Sequence, residues 1–138
     1  MLGGGQIGGF FAEAALRSGY KVSVWDPSPN APAKRYADVA YDTPFDDLGT
    51  LEEFAEVSDC ASLEWENVPV SLTDNLEKLI PIRPGSKSLG LAQDRPKEKH
   101  FLTKNHIPVT NYAVIHNRAE LSDIDLELPW IVKTATLG

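Results

Sequence analysis

Apolar positions near the start of the chain follow first a helical and then a strand spacing. Four of them recur at positions i, i+3, i+4 and i+7 and predict the buried face of a helix over residues 6–18, namely Ile7, Phe10, Phe11 and Ala14. Gly19 supplies a C-terminal stop for this helix. The apolar run over residues 21–26 ends in a proline-rich turn, which predicts a buried strand.

The alternation of helices and strands continues as far as residue 82 and then changes character. The next predicted elements are a strand over residues 39–41, a helix over 48–58 and a strand over 60–65. Such alternation is typical of a parallel α/β sheet with flanking helices. Later segments predict two helices and two short strands of a second, α+β unit, over residues 87–92, 95–105, 110–115 and 130–133.

Composition and charge argue against several classes of protein. The 138 residues carry a net charge of −7, which disfavours a surface that binds nucleic acid or an anionic membrane. No apolar run approaches the roughly 20 residues that span a bilayer. Cys60 is the single cysteine, so no intramolecular disulfide can form and the cytoplasm is the expected setting.

The chain begins within a predicted strand and stops soon after another. Only Met1 and Leu2 precede the first glycines, whereas a central strand has about five residues. The chain stops at Gly138, soon after the last predicted strand. We therefore expect a piece of a longer protein that is only marginally stable alone.

A glycine-rich turn lies between the first strand and the first helix. Gly3-x-Gly5-x-x-Gly8 allows the backbone to approach a ligand, and the N-terminus of the helix attracts negative charge. Asp26 ends the next strand, where an acid can bind ribose hydroxyls. The motif indicates a phosphate-sized anion better than it indicates NAD. A phosphorylated sugar, NAD and a purely structural turn stay open as interpretations.

Two acids and two cations are candidate ligand contacts. Glu64 and Glu66 lie two residues apart in a predicted strand end, which would place both carboxylates on one face at the ligand-binding edge of the sheet. Arg95 and Lys133 are candidate phosphate contacts, and Lys133 follows the apolar segment 129–132. All four could equally be solvated side chains. The three histidines lack the spacing of metal ligands, so no metal site is predicted.

Five segments occur in the order found in one enzyme family. They are LGGGQIG at residues 2–8, DPSPNAP at 26–32, EWENVP at 64–69, QDRPKEK at 93–99 and PWIVKT at 129–134. Together they closely resemble N5-carboxyaminoimidazole ribonucleotide synthetase, the ATPase subunit of phosphoribosylaminoimidazole carboxylase, in the ATP-grasp superfamily. The resemblance covers essentially the whole chain. It implies a Rossmann-like pre-ATP-grasp domain over residues 1–82, followed by the beginning of an α+β ATP-grasp domain over 83–138.

The resemblance also implies a reaction and its ligands. ATP would phosphorylate bicarbonate to carboxyphosphate, which carboxylates the exocyclic amine of aminoimidazole ribonucleotide in purine biosynthesis, with Mg²⁺ on the nucleotide. Family proteins are typically homodimers. By position, the resemblance assigns the ribonucleotide to the first helix and to one of the two acids, that is, to Gly5, Gln6 and Ile7 with Glu64 or Glu66. It assigns ATP to Arg95 and Lys133.

Departures from the family pattern limit what this chain can do alone. Gly9 stands where the family commonly has arginine, and residues 135–138 stand where its glycine-rich ATP loop begins. The resemblance places the Mg²⁺-binding acids beyond this chain, so no catalytic residue is assigned and no turnover by these 138 residues is expected. Two alternatives remain: an ATP-grasp glycinamide ribonucleotide formyltransferase, and a non-catalytic module that binds a nucleotide or NAD.

Overall fold

Helices and short parallel strands alternate in the first part of the chain, as a computed structural model that describes residues 1–136 shows. The elements in chain order are α1 (Gln6–Arg17), β1 (Ser23–Trp25), β2 (Val39–Tyr41), α2 (Leu48–Glu56), β3 (Ala61–Ser62), α3 (Val70–Leu76), β4 (Ile82–Arg83), α4 (Ser86–Ala92) and α5 (Arg95–Lys104). Two 3-10 helices are added at Pro32–Tyr36 and Arg118–Asp123. The predicted helices are confirmed to within two residues at each end.

The chain divides into two compact units, Met1–Gly90 and Leu91–Gly138. Strand β4 belongs to the first of them, because it pairs with β3. The division into domains after residue 82 stays a prediction. Among the described residues, no helix is both long and apolar enough to cross a membrane.

The strands of the first unit run parallel, as predicted. β1 pairs with β2, and β3 pairs with β4. Leu2 bridges to Trp25 on one side and to Leu63 on the other, which gives the spatial order β2, β1, Met1–Leu2, β3, β4. Because parallel strands end at the same edge, the residues that follow Leu2, Trp25 and Leu63 meet there. Those residues are the glycine-rich turn, Asp26 and Glu64.

The larger core cluster of the first unit lies between this sheet and helices α2 and α3, and a smaller one contains Ala12 of α1 with Val24 and Ala33. Trp25 and Phe54 are fully buried, and their ring centroids are 5.9 Å apart. The ring of Phe45 lies 5.6 Å from that of Trp25. The indole N–H of Trp25 donates to the carbonyl of Thr43 at 2.9 Å, so its burial leaves no unpaired donor. Aromatic side chains therefore fill the space that these short strands could not fill alone.

The predicted buried face of α1 is wrong. Ile7 is 70% exposed and Phe10 71% exposed, whereas the buried residues of the helix are Gly8, Gly9 and Ala12. The reason is close backbone approach. A Cβ on Gly8 would lie 3.2 Å from the carbonyl oxygen of Gly3, so the helix meets the rest of the unit through its smallest residues.

Substitutions in α1 should show by their effect on stability that the small residues, and not the large apolar ones, form the buried face. Ala12→Leu should destabilise the first unit by about 1–3 kcal/mol, because added methylenes have no space in a packed contact. Phe10→Ser should change the free energy of unfolding by less than about 0.5 kcal/mol, as exposed positions usually do. Urea denaturation followed by circular dichroism measures both. A larger loss for Phe10→Ser than for Ala12→Leu would contradict the observed orientation.

Several predicted strands are shorter than expected or absent. The predicted strand over residues 60–65 is β3 with a bridge at Leu63, so Glu64 and Glu66 lie in a bend and a turn instead of on one strand face. The strands predicted over 110–115 and 130–133 do not form among the described residues. Ile131 and Val132 are exposed there, because the described part of the second unit contains no strand with which they could pair.

Candidate functional site

The glycine-rich turn lies at the carboxyl edge of the sheet and is held by the strand that follows it. Gly3 has φ of +86°, a conformation that favours glycine, and its N–H donates to the carbonyl of Trp25 at 2.9 Å. A Cβ on Gly3 would lie 2.8 Å from the backbone nitrogen of Trp65. The turn therefore brings residues 3–5 into direct contact with the segment that carries Glu64.

Glu64 lies against the N-terminus of α1. Its carboxylate accepts a hydrogen bond from the Gly5 N–H at 3.1 Å, and the side chain is half-buried. Helix α1 has no acidic residue in its own first turn, so Glu64 supplies the negative charge that the positive end of the helix dipole favours. The structure thus brings together Gly5 and Glu64, two of the predicted ribonucleotide contacts.

Gln6 and Ile7, the other predicted contacts on this helix, form its first turn and are exposed. The first N–H groups of an α-helix have no partner within the helix. Among the described residues, no protein atom is recorded as accepting from the N–H of Gln6 or Ile7. These two donors therefore lie one and two residues after the Gly5 N–H that the Glu64 carboxylate accepts from, and they are candidates for binding an acceptor on a ligand.

Glu66 is not placed with Glu64 by the fold. It lies in an exposed turn after β3, and the predicted common strand face does not exist. Glu64 contacts the glycine-rich turn through its hydrogen bond to the Gly5 N–H.

The carboxylate of Asp26 binds two backbone N–H groups, which the sequence pattern did not indicate. One carboxylate oxygen accepts from the Gly4 N–H and the other from the Ser28 N–H, both at 2.7 Å. Each oxygen is thus bonded to the backbone, whereas a dinucleotide site would use the acid for ribose hydroxyls. The spacing Asp-x-Ser is a signal for a side-chain-to-backbone turn and could have revealed the second of these bonds.

The candidate ATP contacts belong to the second unit. The Arg95 guanidinium donates to the carbonyl of Thr134 at 2.7 Å, and the Arg95 N–H donates to that of Ala135 at 2.9 Å. Arg95 begins α5, which Asp94 caps by accepting from the Lys97 N–H. Lys133 is next to Thr134 and exposed, and the strand predicted over residues 130–133 does not form. The fold therefore bonds Arg95 to the two residues that follow Lys133 and leaves Lys133 itself exposed.

Acidic residues and histidines do not form a metal centre in the part of the chain that the structure describes. No group of three His, Cys, Asp or Glu side chains there could hold an ion.

Comparisons with known proteins converge on one family. The profile of the family described as "Ribonucleotide synthetase preATP-grasp domain" matches residues 1–93. The N5-carboxyaminoimidazole ribonucleotide synthase of Brucella melitensis is 35% identical over 121 residues, which cover 88% of this chain and 33% of that protein. The chain spans about a third of the length of the curated relatives it matches.

Solved structures agree with the sequence comparison. An ADP complex of an N5-carboxyaminoimidazole ribonucleotide synthetase superposes with a TM-score of 0.82 at 36% identity and covers 88% of this chain and 32% of that one. The synthase of Aspergillus clavatus in complex with ADP and 5-aminoimidazole ribonucleotide gives a TM-score of 0.75 at 27% identity, with 88% and 33% covered. Both likenesses extend over most of this chain.

Proposed function

Because the chain belongs to the ribonucleotide synthetase preATP-grasp domain family, we propose that it forms the ribonucleotide-binding part of an N5-carboxyaminoimidazole ribonucleotide synthase. In the proposed reaction the γ-phosphoryl group of ATP passes to bicarbonate, giving ADP and carboxyphosphate. The exocyclic amine of aminoimidazole ribonucleotide then forms a bond to the carboxyl carbon, phosphate leaves and the amine loses a proton. The whole protein would thus be an ADP-forming carbon–nitrogen ligase.

The observation that carries this proposal is the Glu64 carboxylate at the start of α1, beside the exposed donors of Gln6 and Ile7. The negative charge near Gly5 favours a donor group of the ligand, such as a ribose hydroxyl or the exocyclic amine. The two free N–H groups favour an acceptor, such as a phosphate oxygen. A ribonucleotide that carries an amine offers both kinds of group.

The alternatives have less support. The NAD-binding module would need an acid available to ribose hydroxyls, and both oxygens of Asp26 are bonded to the backbone. The relatives and solved structures described above are carboxyaminoimidazole enzymes, which does not favour the formyltransferase.

Arg95 and Lys133 are proposed to bind ATP, which ADP complexes of the structural relatives support. Two cations can neutralise the charge on the phosphates and on the leaving ADP. Arg95 also fixes the segment 134–135 through two hydrogen bonds, so it would set the position of the backbone next to Lys133. The family resemblance also implies Mg²⁺ on the bound nucleotide.

Arg95→Ala should raise the KM for ATP by about tenfold or more, because a charge-assisted contact and the anchor of segment 134–135 are both lost. The KM for the ribonucleotide should stay within about twofold. Steady-state kinetics of the protein that carries this sequence in its complete reading frame measures both constants. Lys97→Ala is the matched control, since Lys97 is an exposed cation of the same helix whose partner is Asp94. Equal effects of the two substitutions would contradict the assignment.

The proposed function is tested by phosphate release from ATP, measured with and without aminoimidazole ribonucleotide and bicarbonate. We expect release that depends on the ribonucleotide from the complete protein and none from residues 1–138 alone. Quenching of tryptophan fluorescence tests binding by the present chain, because Trp65 lies against Gly3. Quenching by NADH but not by aminoimidazole ribonucleotide would favour a nucleotide-sensing module instead.

Three further statements belong to the same proposal. Bicarbonate is the proposed carboxyl donor, as the reaction of the family requires. The complete protein is proposed to be a homodimer. The cytoplasm is the proposed setting, because a single cysteine suits a reducing compartment.

A further inference from the structure

We propose that Asp26 is a positioning residue of the ribonucleotide site, which fixes the glycine-rich turn so that Glu64 and the first turn of α1 face the ligand. The inference rests on the proposed function for the identity of the ligand. The hydrogen bonds of residues 3–5 and 26–34 carry the inference, and they do not depend on which ligand is bound.

Three successive N–H groups of the turn are bonded to three different partners. Gly3 donates to the carbonyl of Trp25, Gly4 to the carboxylate of Asp26 and Gly5 to the carboxylate of Glu64. Of these three bonds, the middle one is made by the side chain of Asp26. It lies between the Gly3 bond to the end of β1 and the Gly5 bond to Glu64, the acid proposed to face the ligand. Loss of the middle bond would release the N–H side of the Gly3–Gly4 peptide, which lies between the two other bonds.

The carbonyl side of Gly4 is held by the segment after Asp26. The Gly4 carbonyl accepts from the Ala33 N–H at 2.9 Å, and the Lys34 amine donates to the carbonyl of Asp26 at 2.7 Å. A Cβ on Gly4 would lie 2.8 Å from the Cβ of Ala31, so the two segments touch. We call residues 26–34 the brace. It binds Gly4 from both sides and continues along α1, where a Cβ on Gly9 would lie 3.8 Å from the Cα of Ala33.

The brace explains how Asp26 acts through other residues. Both of its carboxylate oxygens are bonded to backbone N–H groups, of Gly4 and Ser28. A displaced Gly3–Gly4 peptide would shift Gly4 and with it the Gly5 N–H, whose hydrogen bond holds the Glu64 carboxylate. A displaced carboxylate would bind the ribonucleotide less well, since contacts of this kind depend on geometry within a fraction of an ångström.

Asp26→Asn tests this role with the smallest change of shape, because an amide nitrogen cannot accept and one of the two backbone bonds must be lost. Asp38→Asn is the matched control. Asp38 also accepts one backbone N–H, that of Val22 at 2.8 Å, in the same unit and away from the turn. Three quantities are compared: the Kd for aminoimidazole ribonucleotide, the KM for ATP of the complete protein, and the exchange rates of the Gly4 and Gly5 amide hydrogens.

We expect Asp26→Asn to raise the ribonucleotide Kd about tenfold, to leave the KM for ATP unchanged and to speed exchange at Gly4 and Gly5. Asp38→Asn should change none of these, although it should lower the urea midpoint to a similar extent. Equal weakening of ribonucleotide binding by both substitutions would show a general loss of stability and would overturn the proposal. An unchanged Kd in an Asp26→Asn protein whose Gly4 exchange is faster would overturn it as well, and where the amide oxygen keeps the Gly4 bond, the Lys34→Met variant decides.

Lys34→Met is a second, independent test of the brace. It removes the hydrogen bond to the Asp26 carbonyl and leaves both bonds of the Asp26 carboxylate in place. It should raise the Kd and speed Gly4 exchange in the same direction, and it decides the question if Asp26→Asn does not fold. Unchanged exchange and affinity in Lys34→Met would then overturn the proposal. If the unmodified protein binds no ribonucleotide, the proposed function fails, and that outcome is distinct from a failure of the brace.

Discussion

Trp25→Ala is expected to remove most of the stability of the first unit. Replacing a buried tryptophan by alanine costs about 3–5 kcal/mol, and a whole domain is stable by only about 5–15 kcal/mol. Trp25 is fully buried between Phe45 and Phe54, in the strand next to Leu2. Its loss would also leave the Thr43 carbonyl without the indole donor. The urea midpoint of the first unit should therefore fall sharply or vanish.

Urea titration followed by far-ultraviolet circular dichroism measures this change without relying on the tryptophan that is removed. Trp65→Ala is the matched control, since Trp65 is 44% exposed and also stacks on Phe45 at 6.0 Å. It should cost clearly less than Trp25→Ala. A midpoint of Trp25→Ala equal to that of the control would show that the aromatic cluster does not hold this unit together.

The parallel α/β architecture could be predicted from the sequence, because alternation of element types is set by local apolar spacing. The orientation of α1 could not. Its large apolar residues mark one stripe of the helix, yet Gly8 and Gly9 form the stripe that packs inward. Periodicity identifies an amphipathic helix, whereas the distance at which two backbones meet decides which stripe can be buried. Here Gly3 and Glu64 come so close to Gly8 of α1 that a larger side chain would not fit, and these two residues are far apart in sequence.

The candidate site was predicted in part for similar reasons. The glycine-rich turn and Glu64 follow from the rule that ligands bind at the carboxyl ends of parallel strands. The separation of Glu64 from Glu66 could not be foreseen, because it depends on β3 ending at Ser62. The bond between Asp26 and the Gly4 N–H was missed because it joins residues 22 positions apart, and the bond from Lys34 to the Asp26 carbonyl depends on how the proline-rich turn folds back. Local spacing gives no sign of these two bonds.

Glu64→Gln is expected to raise the KM for the ribonucleotide by about 10- to 100-fold, the usual size of a lost charged hydrogen bond. Glutamine has the same shape, and its amide oxygen can still accept from the Gly5 N–H. The turn should therefore keep its conformation, and the urea midpoint should change little. What is lost is the negative charge that accepts a donor of the ligand, so KM for the ribonucleotide should rise and KM for ATP should not.

Glu66→Gln is the matched control for this substitution and decides which acid meets the ligand. It removes an equal charge two residues away, in the exposed turn that follows β3. We expect less than about a threefold change in either KM, because the substitution leaves the Glu64 carboxylate and its bond to the Gly5 N–H in place. A larger effect of Glu66→Gln than of Glu64→Gln would move the proposed contact to Glu66. It would also remove the observation on which the ribonucleotide assignment stands, since the bond between Glu64 and Gly5 would then serve only to cap α1.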